Sequence, residues 1–106
     1  MASVSFYGSI TPAMNVVSIV GTISSAGVYV FKTDLGAMQN GDEVELRFAD
    51  KATAGTVSCI YFASYAHAQS TGIKASPPVV VSSLAHVSIT LRGGTGRNFP
   101  FEVLSI

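Results

Sequence analysis

HVSITLRGGTGRNFPFEVLSI, residues 86–106, reads as two β-strands around a glycine-rich turn, and it decides the fold. Val87, Ile89 and Leu91 project to one side while His86, Ser88, Thr90 and Arg92 project to the other, the period-two alternation of a strand with one buried face. Gly93, Gly94 and Gly96 let the backbone reverse through positive φ, so a hairpin is predicted. Beyond the turn, Phe99, Phe101 and Val103 share one face and Leu104 and Ile106 the other. An apolar finish of this kind has to be packed against something.

Outward from that stretch, the same pattern repeats. Val4 and Phe6 alternate with Ser3, Ser5 and Tyr7 in a short first strand that Gly8 and Thr11-Pro12-Ala13 terminate. Residues Val16 to Ile23 are rich in β-branched side chains and lead through Ser24-Ser25-Ala26-Gly27, a hairpin-length connection, into Val28 to Lys32. Both faces of that third strand are apolar, Val28 and Val30 on one and Tyr29 and Phe31 on the other, which places it centrally or beneath a subunit contact. Asp34 to Gly41 reads as a loop. In Asp42 to Asp50, Val44, Leu46 and Phe48 alternate without error against Glu43, Glu45 and Arg47, one face core and the other polar. Ala52-Thr53-Ala54-Gly55 turns the chain into Val57 to His67, where Ile60, Tyr61, Phe62 and Tyr65 load both faces and again imply a central strand or a covering partner. Ala68 to Ala75 reads as a polar loop. Pro77-Pro78 then opens Val79 to Ser82, an edge strand, because proline cannot donate to a ladder.

Eight short strands with regular turn signals and no convincing helix predict an all-β chain: one domain over residues 1–106, an antiparallel β-sandwich or jelly-roll-like barrel. At 106 residues the chain can bury roughly 65% of its unfolded surface without disulfide or metal.

Charged residues make up 11% of the chain, well under the usual figure of about 25%. Six basic and six acidic side chains cancel, so the repulsion that keeps proteins apart is missing, and a surface covered by partners is expected. Scattered Lys32, Arg47, Lys51, Lys74, Arg92 and Arg97 do not form the cluster that phosphate neutralisation needs, which argues against nucleic acid. No apolar run approaches the roughly 20 residues of a membrane span, and the start of the chain lacks a signal-peptide pattern, so synthesis in the cytoplasm is expected. Cys59, the single cysteine, sits among Val57, Ile60 and Tyr61 and is predicted to be a small buried apolar residue.

Chemistry is sparse. His67, His86 and Cys59 show no metal-ligand spacing, so neither metal nor cofactor is expected, and no serine stands in a Gly-x-Ser-x-Gly frame. Glu43 and Glu45 share a strand face at about 7 Å, a separation glycoside hydrolysis could use, but beside Arg47 they read as a charged outer face. The Gly93–Asn98 turn runs into a strand and not a helix, so it is no phosphate loop; it is predicted to be a flexible hairpin tip exposing Arg97. No enzymatic activity is expected.

Asp34 through Gly41-Asp42-Glu43-Val44-Glu45-Leu46-Arg47, together with Gly94-Thr95-Gly96-Arg97-Asn98-Phe99-Pro100-Phe101-Glu102-Val103-Leu104, resembles a group of small β-rich virion proteins of tailed bacteriophages. The likeness runs from about residue 26 to Ile106. It implies a structural protein of the phage particle, of the head decoration or cement type, bound in several copies to the major capsid protein on the capsid surface. A homo-oligomer is expected, with a trimer favoured because shells offer threefold positions. The candidate contact residues are Tyr29, Phe31, Tyr61, Tyr65, Arg97, Leu104 and Ile106. The runner-up is a small carbohydrate- or surface-binding module, weakened by the absence of Trp and by tyrosines that lie inside strands.

Overall fold

The computed structural model describes residues 3–50, 58–70 and 72–106. Among them are nine strands and no helix: β1 (Ser3–Ile10), β2 (Val17–Ile23), β3 (Gly27–Asp34), β4 (Glu43–Asp50), β5 (Ser58–Ala66), β6 (Ile73–Ala75), β7 (Val79–Val81), β8 (Ala85–Gly93) and β9 (Phe99–Ser105). They form two antiparallel sheets. Sheet A has the order β1-β9-β3-β6, with β7 also pairing β3, and sheet B the order β2-β8-β4-β5. β6 lies against Lys32–Asp34 and β7 against Gly27–Tyr29, so the two act as one interrupted strand. Counted that way, the connectivity is that of an eight-stranded jelly roll, two Greek keys folded face to face.

The interruption has a local cause. Pro77 and Pro78 cannot donate to the β3 ladder, and Ser76 bridges the gap instead. Its N–H donates to Phe31 O at 2.8 Å, and its Oγ accepts from Phe31 N–H at 3.0 Å. The edge position read from the prolines is the position β7 takes. β6 falls in the stretch predicted as polar loop; Ile73-Lys74-Ala75, three residues recruited by the edge of β3, is too short a run to carry a periodic signal.

Alternation sets the core. Val44, Leu46 and Phe48 of β4 and Ala85, Val87, Ile89 and Leu91 of β8 face Tyr29 and Phe31 of β3 and Phe99 and Val103 of β9, all nearly or wholly buried. Full burial of each of the larger side chains contributes roughly 1.5–3 kcal/mol. Leu35 and Met38, from the loop after β3, close one end of this core.

Two predicted hairpins are not hairpins. β8 pairs β2 and β4 in sheet B while β9 pairs β1 and β3 in sheet A, so the glycine-rich segment crosses between sheets. The connection after β2 crosses likewise. Strands with one buried face each can satisfy it by meeting across the core as well as by lying side by side, and the jelly roll uses the first solution. β4 and β5 are sequence neighbours that do pair; the turn predicted at Ala52–Gly55, and the start of the next run at Val57, lie outside the described residues. β3 is central, as one reading of its two apolar faces required, whereas β5 is an edge strand.

Candidate interaction surface

The outer face of sheet A is built in cross-strand rows. Val80 stands opposite Val28, and Ile106, whose N–H donates to Val28 O at 2.8 Å, extends that row. Val30, Leu104 and Val4 form the next. Val80 is 72% exposed, Ile106 56% and Val4 51%, so half of this face is a continuous apolar patch. A bulge between Val4 and Phe6 turns Phe6 inward and leaves Tyr7 outward. Tyr7, Glu102 and Lys32 then make a polar row, with Lys32 Nζ 3.2 Å from Glu102 Oε1.

Past that row is a depression of about 290 Å³ lined by Tyr7, Lys32, Asp34, Ile73, Pro100 and Glu102 together with Gly8, Thr33 and Phe101. Phe6, Phe31 and Val103 point into the sandwich, so alternation puts the first six side chains on the outside. The floor is the backbone of Gly8, Phe101 and Thr33, cross-strand neighbours on β1, β9 and β3.

Sheet B presents a different outer face. Glu45 Oε2 accepts from Arg92 Nε at 3.0 Å and lies 3.5 Å from an Arg47 amino group, and Arg47 stacks over the Phe62 ring at 5.4 Å. Ser88 and Thr90, on the outward side of central β8, are buried beneath these long side chains. Val17 and Ile19 on one edge and Ile60 and Phe62 on the other are half exposed. Glu45 is thus committed to two guanidinium groups and is not poised for acid-base chemistry beside Glu43.

Between the sheets, Asp42 organises the loops. Its Oδ2 accepts from Arg97 Nε at 3.0 Å and Gln39 N–H at 2.8 Å, and its Oδ1 accepts from Thr95 N–H at 3.1 Å. The hydrogen bond from Arg97, aided by both backbone donors and opposed by burial, holds the carboxyl at about 2, below its ordinary 3.8. The segment carrying Arg97 is therefore anchored, not the free tip its glycines suggested.

The predicted contact residues fall into three groups. Tyr29 (7% exposed) and Phe31 (2%) are core residues and offer no surface to a partner; the apolar side of β3 that faces out carries Val28 and Val30. Tyr61 and Tyr65 lean from edge strand β5 onto the core. Lys74 Nζ stands 5.0 Å from the centre of the Tyr65 ring, and burial, with Tyr61 alongside, pushes the Tyr65 hydroxyl above its ordinary pKa. Leu104 and Ile106 are on the outer face of sheet A, and Arg97 is bound to Asp42. Cys59 is exposed, a correction that follows from the edge position of β5. Of the histidines, His86 Nδ1 pairs with Thr22 Oγ1 at 3.1 Å, and His67, at φ 65° just past β5, accepts from Gly41 N–H at 3.1 Å. Sequence reasoning missed Tyr7, Val4 and Val80; the bulge that exposes Tyr7 has no sequence signature.

Among the described residues no group of three or more His, Cys, Asp or Glu side chains could hold a metal ion. No protein-family model, characterised protein or solved structure matches this chain.

Proposed function

We propose that this chain is a structural subunit of a bacteriophage particle, a capsid decoration or cement protein. It binds the major capsid protein on the outside of the head as a homo-oligomer, with a trimer at threefold positions favoured. The observation that carries this reading is the apolar half of the outer face of sheet A, where Val4, Val28, Val30, Val80, Leu104 and Ile106 meet water on a chain with no net charge. Two such surfaces associate without separating or desolvating charge. The molecule measures 40 × 30 × 19 Å, and its broad face has the size of a standard interface, about 800 Å² per partner. Copies on a symmetric shell add avidity to individually weak contacts.

Light scattering of the purified chain and co-sedimentation with empty heads test the two halves of the proposal. Oligomers that bind heads, and lose both properties in Leu104→Asp and Ile106→Asp without loss of strand circular dichroism, are expected. A monomer that leaves heads bare at micromolar concentration would overturn it. The second reading, a small carbohydrate-binding module, is favoured by one observation, the depression beside Tyr7.

A further inference from the structure

We infer that the trough on the outer face of sheet A binds a short run of neutral sugar rings, with Tyr7 as its stacking platform. Glu102, Lys32 and Asp34 are the partners of the sugar hydroxyls. This rests on the carbohydrate-binding reading, which it deepens by naming the ligand class and the residues that meet it, and not on the particle reading, since the trough occupies the opposite end of the sheet from the apolar patch.

The shape comes from the register. Tyr7 on β1, in the row of Glu102 and Lys32, and Ile73 on β6, beside Asp34, stand at diagonal corners of the trough, about 16 Å apart over three strand spacings of about 4.8 Å and a two-residue offset of about 6.8 Å. Lys32 and Glu102 form one wall, and Asp34 and Pro100, two residues further along their strands, form the other. The walls are therefore about 6.8 Å apart, a slot that runs across the strands and suits a flat ring-by-ring ligand.

The chemistry selects the class. Tyr7 is 80% exposed and offers a ring face to the C–H face of a pyranose, while its polar end stays wet. Asp34 Oδ1 accepts from Gly36 N–H at 2.9 Å and Glu102 Oε1 is paired with Lys32, so the second oxygen of each carboxylate and the remaining ammonium protons of Lys32 supply the charge-assisted hydrogen bonds to hydroxyls. Two carboxylates against one ammonium sum to a negative charge, and Lys32 is already paired with Glu102, so phosphate and other anions are disfavoured. An extended peptide is disfavoured too: the floor backbone of Gly8, Phe101 and Thr33 belongs to the β1-β9-β3 ladder and has no free strand edge to offer. A volume of about 290 Å³ is at the lower end for ligand pockets and fits a shallow, open saccharide site.

The full chain is screened on an array of neutral and acidic glycans, then titrated with maltotriose, cellotriose and chitotriose while amide resonances are followed. Binding of at least one neutral oligosaccharide with a dissociation constant of about 1 mM or tighter is expected, with shifts centred on the amides of Gly8, Thr33 and Phe101. Tyr7→Ala should weaken it at least about tenfold and Glu102→Gln several-fold, with Ile19→Ala on sheet B as an unaffected control. No neutral glycan bound, recognition of acidic glycans alone, shifts centred away from the trough, or wild-type affinity in Tyr7→Ala would each overturn the inference.

Discussion

Arg97 donates from Nε to Asp42 Oδ2 at 3.0 Å across 55 positions of sequence, joining the crossing between β8 and β9 to the start of β4. Asp42 is 2% exposed and Arg97 about one third, so the bond is shielded on one side and wet on the other. It converts a segment with three glycines into a fixed corner of the sandwich.

Asp42→Asn should cost about 2 kcal/mol, the value of hydrogen bonds to a charged group reduced for the exposed side of Arg97. The pH dependence has a definite sign. A carboxyl whose folded pKa of about 2 lies below its ordinary 3.8 stabilises fully above the higher value, and loses that stabilisation as pH falls toward the lower one. Urea midpoints should drop between pH 4 and 2 in the wild type and drop less in Asp42→Asn; parallel curves would refute the assignment.

The two positive-φ glycines near this corner should respond differently to alanine. Gly94 has φ 79° and a Cβ there would collide with Asp42 Oδ1, while Gly41 has φ 94° and open space around it. Gly41→Ala should cost the backbone term alone, about 1 kcal/mol. For Gly94→Ala a loss of at least about 2 kcal/mol is expected, readable as a lower thermal midpoint. Equal losses would mean that the Asp42 contact does not constrain the corner.

Thr33 Oγ1 and Thr90 Oγ1 are buried with no hydrogen-bond partner among the described residues. Removing an unsatisfied polar group while keeping side-chain shape is neutral to favourable. Thr33→Val and Thr90→Val should each leave stability unchanged or raise it by up to about 1 kcal/mol. Denaturant unfolding in which either variant is weaker than wild type would indicate a partner that the native state supplies.

Cys59 should react in the native state. Its thiol is exposed on edge strand β5, with Sγ 3.1 Å from Tyr61 O. An aromatic disulfide reagent should titrate one thiol per chain without denaturant; a thiol that reacts only on unfolding would return Cys59 to the interior that its apolar neighbours suggested.

Much of the candidate surface was legible in part. Leu104 and Ile106 stood out because they fall on the opposite face from Phe99, Phe101 and Val103, and alternation alone is enough for that. For Tyr29 and Phe31 alternation leaves an ambiguity: with both sides of β3 apolar, which side faces the core depends on the strand's twist and on its neighbours. The structure buries the aromatic side and leaves Val28 and Val30 outside. Nothing beside Arg97 in the sequence announces its partner, because Asp42 lies 55 positions away.

By itself the sequence determined that the chain is all-β, that Val44, Leu46, Phe48, Val87, Ile89 and Leu91 are core, and that β7 lies at an edge, since periodicity and proline chemistry are local. Tertiary structure alone decided that β8 and β9 belong to opposite sheets. It also decided that β6 exists, that β5 is an edge and that Tyr7 overlooks a trough. Each of these depends on which strand lies beside which, and pairing is settled by the packing of two sheets around one core, a choice among non-local contacts that no short stretch encodes.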